Sequence, residues 1–384
     1  MKVAVLGYGT VGAGVYSMLS NAPGMEAGPV LVRPGKAVEN FMVSDAALIF
    51  GDPTVDAVVE TLGGLDPAYS YGMRALEAGK HFITANKAMV AAHGLELAAL
   101  AREKGAAFLF SAACGGGVPF LHNLALSAET DRIEAVSGIL NGTTNYMLDA
   151  MQRRSLSYGD ALREAQSLGY AESDPTADVS GLDALRKMQL ACAVAFGVLP
   201  QSGMLCEGME HFTAADVEDI QSRGLVCRLM ARGSRAGESV SAYVEPVLFP
   251  RAAPESSVFT NNNMARYTGK RCGSIVLMGQ GAGRFPTASA VLRDLSAAQQ
   301  GARSMFPENC RAAEADNREA VNSYYIRTGG FAAVRLPLRS VLAQGEVVRA
   351  VTEPMSAEKM HALAQNIRKD GNDLFFAALE EELC

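Results

Sequence analysis

A run of β-type residues, Lys2-Val3-Ala4-Val5-Leu6, stops at Gly7-Tyr8-Gly9-Thr10-Val11-Gly12, and residues 11–19 continue with helical spacing. A G-x-G-x-x-G turn alone is weak evidence, but between a strand and a helix it points to a dinucleotide site. Gly7 permits the tight turn, Gly9 lets the backbone approach a pyrophosphate, and Gly12 allows close helix–strand packing. Free N–H groups at the helix start, around Thr10 and Val11, then receive the negative charge. The bland alternative is a plain glycine-rich turn.

The alternation continues. Strands are expected at 29–33, 57–60, 81–85 and 107–113. Helices are expected at 68–78, opened by Pro67 and closed by Gly79, and at 93–104. This spacing predicts an α/β fold with a Rossmann-type doubly wound parallel sheet. The second strand ends in Arg33-Pro34-Gly35-Lys36 with no acid to take a ribose 2′-OH. Two cations there suit a 2′-phosphate, so NADP is favoured and NAD stays open.

After Arg132 the pattern changes. A strand at 133–139 precedes helices at 144–153, from 157 to Gly169, and at 180–196. Residues 224–278 then read as strands and turns, an α+β second domain. The last 84 residues carry expected strands at 324–328, 347–351 and 374–379 and a helix at 357–369, a small α+β extension. At 384 residues, two or three domains are the prior.

A net charge of −7 leaves no broad basic field for nucleic acid or an anionic membrane. No apolar run has the length of a membrane span, and the first residues do not read as a signal peptide, so the cytoplasm is the expected location. Seven cysteines with no C-x-x-C spacing argue against a disulfide framework or zinc site and for reduced thiols.

Five further segments narrow the function. They are Glu60-Thr61-Leu62-Gly63-Gly64, Thr84-Ala85-Asn86-Lys87-Ala88, Asn141-Gly142-Thr143-Thr144-Asn145-Tyr146, the stretch from Gly169 to Lys187, and Gly279-Gln280-Gly281-Ala282-Gly283-Arg284-Phe285-Pro286-Thr287. In this order and spacing the set resembles the homoserine dehydrogenase family over about residues 7–295. The resemblance implies NAD(P)-dependent interconversion of L-homoserine and L-aspartate 4-semialdehyde, in threonine and methionine biosynthesis. It implies a discontinuous nucleotide domain, 1–132 with 279–300, and a substrate and dimerisation domain at 133–278. Residues 301–384 are then an extension resembling a degenerate ACT-like regulatory module. A homodimer or higher homo-oligomer is expected.

The resemblance also assigns roles. Lys87 and Lys187 become candidates for proton transfer and substrate orientation, with Asp183 beside Lys187. Glu172 and Asp178 suit the substrate ammonium. Tyr170, Gly142 and Thr143 supply donors for its carboxylate. Gly63, Gly283 and Thr287 face the cofactor, with Arg33 and Lys36 at its phosphate. An unperturbed lysine is a poor base near neutrality, and desolvation or a second cation would change that. On spacing alone, Asp183 and Lys187 also fit a surface i,i+4 pair or a capping box with Ser180.

Two departures stand out. The family's monovalent-cation loop starts with an acid, but Ser111 stands there in Ser111-Ala112-Ala113-Cys114-Gly115-Gly116-Gly117-Val118-Pro119. Backbone carbonyls of Cys114, Gly116 and Val118 are weak ligands without a charged oxygen, so no metal is assigned. The extension lacks the acidic-Pro-Gly turn before its first helix, which weighs against feedback control. Two other readings remain: an NADP-linked oxidoreductase of another amino-acid alcohol or semialdehyde, and an inactive cofactor-binding sensor.

Overall fold

The structure is a computed structural model and describes residues 1–333 and 335–380. Cys384, counted among the reduced thiols, lies outside the described residues. The chain forms two compact units. One comprises Met1–Arg132, Gln189–Leu199 and Gly279–Arg311; the other comprises Ile133–Met188, Pro200–Met278 and Ala312 onward.

In the first unit, strands Lys2–Leu6, Ala57–Glu60 and His81–Thr84 are built from short apolar runs that are buried almost throughout. Strands covered on both faces need such runs. They join Glu26–Leu31, Met42–Val43 and Phe108–Leu109 in one sheet in which every pairing is parallel. Numbered along the chain, the spatial order is 3-2-1-4-5-6, with Lys2–Leu6 beside Ala57–Glu60. Connections diverge between those two strands, and a crevice opens at their carboxyl ends.

Three expectations are corrected here. The second strand covers Glu26–Leu31 rather than 29–33. The expected strand at 107–113 is two residues long, followed by a 3-10 turn, Ser111–Ala113. The helix expected from 93 begins at Lys87, because the Asn86 side chain accepts the Met89 N–H and caps it.

In the second unit, a ten-stranded sheet runs, edge to edge, through Gly273–Gln280, Asn262–Gly269, Ile133–Ile139, Leu225–Ala236, Ser239–Pro250, Leu374–Leu379, Tyr324–Gly329, Val347–Thr352 and Leu338–Ala343; Leu205–Cys206 also pairs with Ser239–Pro250. The long hairpin between Leu225–Ala236 and Ser239–Pro250 turns at Gly237, whose φ of 62° favours glycine. The helix expected at 180–196 begins at Leu182 and runs to Phe196, and a separate one-turn helix, Thr176–Val179, precedes it. Gly181, at φ 83°, separates them.

The extension reads strand, one-turn helix, strand, strand, helix Ala357–Lys369, strand, with its own strands in the order 4-1-3-2. That is the βαββαβ arrangement of ferredoxin-like modules. Its last strand pairs parallel with Ser239–Pro250, at Val247–Ala378 and Leu248–Leu379. Met230, Val247 and Phe249 share a core with Ile326, Met360 and Phe376. Sheet and core are therefore continuous between residues 133–278 and the extension.

Candidate active site

A cleft of about 1030 Å³ lies at the carboxyl end of the first unit's sheet. Gly7, Gly9, Arg33, Lys36 and Gly63, five of the residues the sequence reading assigned to a cofactor, line it. Among the described residues its lining does not include Thr10, Val11, Gly12, Gly283 or Thr287. Thr10 and Val11 open helix Thr10–Leu19, and Gly12 is buried behind the turn. Gly283 caps helix Arg284–Gln299, whose Ala288 packs on Gly14.

Sequence reasoning missed several lining residues. Tyr8 and Phe41 belong to an aromatic cluster in which Tyr16 stacks on Phe41 with ring centroids 4.3 Å apart. Glu39 also lines the cleft. It lies beyond the strand end where an acid was sought, so strand-end inspection could not find it. Lys87 is the half-buried first residue of its helix. A cation there opposes the helix macrodipole, so helix stability does not explain its place.

The second unit holds a separate polar cluster. The Asn141 side chain caps helix Gly142–Arg154 by accepting the Thr144 N–H at 2.8 Å. Its amide donates to Asp178 Oδ1 at 2.7 Å and to Asp183 Oδ2 at 2.9 Å. Asp183 Oδ2 lies 2.7 Å from Lys187 Nζ, and that ammonium also donates to the Leu140 carbonyl at 2.6 Å. Both side chains are 12% exposed, so this is not the solvated surface pair that spacing alone allowed. Asn141, which lies in a family-like motif but receives no role from the resemblance, is the hub.

Thr143 is buried and donates to the Tyr170 carbonyl at 2.6 Å. The Tyr170 ring meets Tyr146 edge-on. Gly142 leaves no room for a side chain, since a Cβ would lie 2.8 Å from the Asn261 carbonyl. Glu172 is exposed, in the loop before Thr176–Val179. The cluster thus joins Asn141, Asp178, Asp183 and Lys187 directly, with Thr143 and Tyr170 linked to each other. It offers carboxylates for an ammonium and an amine for a proton.

A sequence profile of homoserine dehydrogenase matches residues 119–296, and that of the family's NAD-binding domain matches residues 7–111. Homoserine dehydrogenase of Corynebacterium glutamicum is 38% identical over 314 residues, 76% of this chain and 70% of that protein. The chain belongs to the homoserine dehydrogenase family. Its Bacillus subtilis relative is 34% identical over 79% of this chain and 74% of its own length. The structure of a Thiobacillus denitrificans homoserine dehydrogenase matches with a TM-score of 0.87 and 29% identity, covering 99% of this chain and 98% of that one. Fold similarity therefore covers nearly the whole chain, more than the 76% and 79% over which those two curated relatives align. Membership makes the protein an oxidoreductase.

The loop in which the family resemblance led us to expect an acid is organised from elsewhere. Asp294, buried on helix Arg284–Gln299, accepts the Ser111 N–H at 2.8 Å and the Ser111 hydroxyl at 2.5 Å. Among the described residues, no group of three or more His, Cys, Asp or Glu is placed to hold a metal ion. Burial pushes the Asp294 carboxyl up to about 7, against the pull of Ser111 and Arg293. A folded-state value above the unfolded one means stability fully present below about pH 4 and lost as pH rises through about 7. Wild-type protein should therefore lose on the order of 1–4 kcal/mol between pH 5 and 8 that Asp294→Asn does not lose. Chemical denaturation across that range checks this; parallel curves for the two proteins would refute it.

Proposed function

We propose that the protein interconverts L-homoserine and L-aspartate 4-semialdehyde, using NADP in preference to NAD, as a step toward threonine and methionine. The carrying observation is the Asn141–Asp178–Asp183–Lys187 cluster, which combines an amine with two carboxylates in one hydrogen-bonded group. Lys187, once its ammonium has released a proton, takes that of the substrate hydroxyl as the free amine, with Asp183 holding it in place. Lys87 is the second lysine of the reaction. Asp178 and Glu172 receive the substrate ammonium. Gly142, Thr143 and Tyr170 serve its carboxylate.

The cofactor fits the cleft at Gly9, where a Cβ would have no protein atom beyond its chain neighbours within 4 Å and the backbone is bare. Gly7, Gly9, Thr10, Val11 and Gly12 hold the pyrophosphate, with Gly63, Gly283 and Thr287 completing the cofactor's surroundings. When bound, the nicotinamide supplies the hydride acceptor for the carbinol carbon. Arg33 and Lys36 in the cleft lining support a 2′-phosphate. Glu39 in the same lining favours the second reading, NAD, because a carboxylate suits a free ribose hydroxyl.

A homodimer is part of the reading. Strand Gly273–Gln280 ends the sheet and exposes Val276 and Met278 at 42% and 60%, an apolar edge that needs cover. A cytoplasmic location suits the free thiols of the described cysteines. Among the described residues no helix is long and apolar enough to cross a membrane.

Absorbance at 340 nm with homoserine and each cofactor tests the proposal. A faster rise with NADP than with NAD is expected, and Arg33→Ala should erode that ratio by roughly tenfold, the worth of one charge-assisted contact. No rise with either cofactor, and no reverse reaction from the semialdehyde, would defeat the assignment of substrate. An unchanged ratio would defeat the role of Arg33.

A further inference from the structure

Glu60 ends the strand Ala57–Glu60 and is fully buried, yet no role above uses it. A buried carboxylate is costly unless its oxygens are bonded. Its Oε1 accepts the Leu62 N–H at 2.6 Å and the Gly63 N–H at 3.1 Å. Its Oε2 accepts the Thr84 hydroxyl at 2.5 Å. All three donors are neutral.

These partners lie on two different pieces of the nucleotide domain. Leu62 and Gly63 line the cleft, and Gly63 and Gly64 both sit at positive φ, 76° and 73°. Two successive glycines give a turn with little stiffness of its own. Thr84 is the register neighbour of Glu60 on the next strand. The Thr84 hydroxyl oxygen accepts the Asn86 N–H at 2.9 Å, and the Asn86 amide donates back to the Gly64 carbonyl at 2.6 Å. Asn86 also caps the helix whose first residue is Lys87. The bonds therefore close a loop: Glu60 to the turn, Glu60 to Thr84, Thr84 to Asn86, and Asn86 back to the turn.

We infer that Glu60 is a positioning residue that ties the cofactor-contacting turn Leu62–Gly64 to the helix start carrying Lys87, so that one carboxylate sets both cofactor affinity and the placing of that lysine. This rests on the reading that the cleft takes a dinucleotide and that Lys87 serves the reaction. A carboxylate suits the task because one oxygen can take both turn N–H groups while the other takes a hydroxyl. A glutamine can keep the first half, but its amide nitrogen cannot accept the Thr84 hydroxyl proton, so that bond must reverse or break.

Three variants of the full chain separate the parts: Glu60→Ala, Glu60→Gln and Thr84→Val. Each is read by thermal unfolding, by NADPH titration through its fluorescence, and by kcat and KM. Glu60→Ala should weaken NADPH binding and lower kcat, each by roughly tenfold or more, because two contacts to the turn and one to Thr84 disappear. Glu60→Gln should recover most of the NADPH affinity but little of the kcat. Thr84→Val should leave NADPH affinity within about twofold while kcat falls roughly tenfold, since it cuts only the branch toward Asn86.

A merely structural Glu60 would lower the unfolding temperature and leave affinity and turnover per folded molecule unchanged. That result overturns the inference, as does a Thr84→Val protein with wild-type kcat. Wild-type protein that binds no dinucleotide would instead defeat the functional reading on which the inference rests.

Discussion

Lys187→Ala should lower turnover by roughly 10²–10⁴-fold, the usual worth of a positioned proton-transfer group, while NADPH still binds. The cleft for the dinucleotide belongs to the other unit of the chain, so its lining is unaltered. What is lost is an amine bonded to the Leu140 carbonyl and paired with Asp183. Lys187→Arg separates two explanations. Arginine keeps the positive charge but does not give up its proton near neutrality. If Lys187 only neutralises Asp183, the arginine protein should retain much of the activity. If Lys187 exchanges the substrate proton, arginine should be nearly as inactive as alanine. Removing the amine also leaves a largely buried carboxylate without its cation, which destabilises the fold. Thermal unfolding must therefore accompany the 340 nm assay. A folded Lys187→Ala protein with normal turnover would remove this lysine from the mechanism.

The parts of this architecture that were readable in the sequence are those specified locally. Strands Lys2–Leu6, Ala57–Glu60, Ile133–Ile139 and Leu374–Leu379, and helix Ala357–Lys369, have the bounds their residue patterns predict. Buried strands are short apolar runs, and this helix has a Ser356 cap and a marked apolar face. What was missed depends on distant partners. Residues 107–113 look like a strand, but the carboxylate that takes the Ser111 N–H and hydroxyl lies 183 positions away. The helix from Lys87 buries Met89, Val90, Ala91 and Gly94, an alanine- and glycine-rich opening with little amphipathic contrast, so the residue pattern predicts a helix only from 93. The strand Leu338–Ala343 mixes exposed and half-buried positions on a sheet edge and carries almost no alternation. The site shows the same division. Motifs located Asp178, Asp183 and Lys187, but Asn141 becomes their hub only through bonds spanning 37 and 42 positions. Glu60 lies inside the Glu60–Gly64 motif, and only its pairing with Thr84 on a parallel strand gives it a role.

The second and third glycines of the nucleotide turn should fail in different ways when changed to alanine. At Gly12 a Cβ would lie 2.1 Å from the Gly7 carbonyl oxygen and 2.7 Å from Thr61 Oγ1. The first of these is backbone of a turn already held at φ 98°, so it has little freedom to yield. Overpacking of this kind costs about 1–3 kcal/mol or more. Gly12→Ala should therefore lower the unfolding temperature by several degrees and weaken NADPH binding by distorting the turn. At Gly9 a Cβ meets no protein atom beyond its chain neighbours within 4 Å, and the residue lines the open cleft. Gly9→Ala should unfold at the wild-type temperature. Its methyl group occupies the space the pyrophosphate must enter, and a comparable steric cost there corresponds to roughly 10–100-fold weaker NADPH binding. Differential scanning calorimetry with and without NADPH separates the two cases. The Gly9 protein should lose the ligand-induced rise in unfolding temperature while keeping its unliganded value. A Gly9→Ala protein that binds NADPH as tightly as wild type would mean that the phosphates do not sit against this turn, and the cofactor's place in the cleft would have to be redrawn around Arg33 and Lys36.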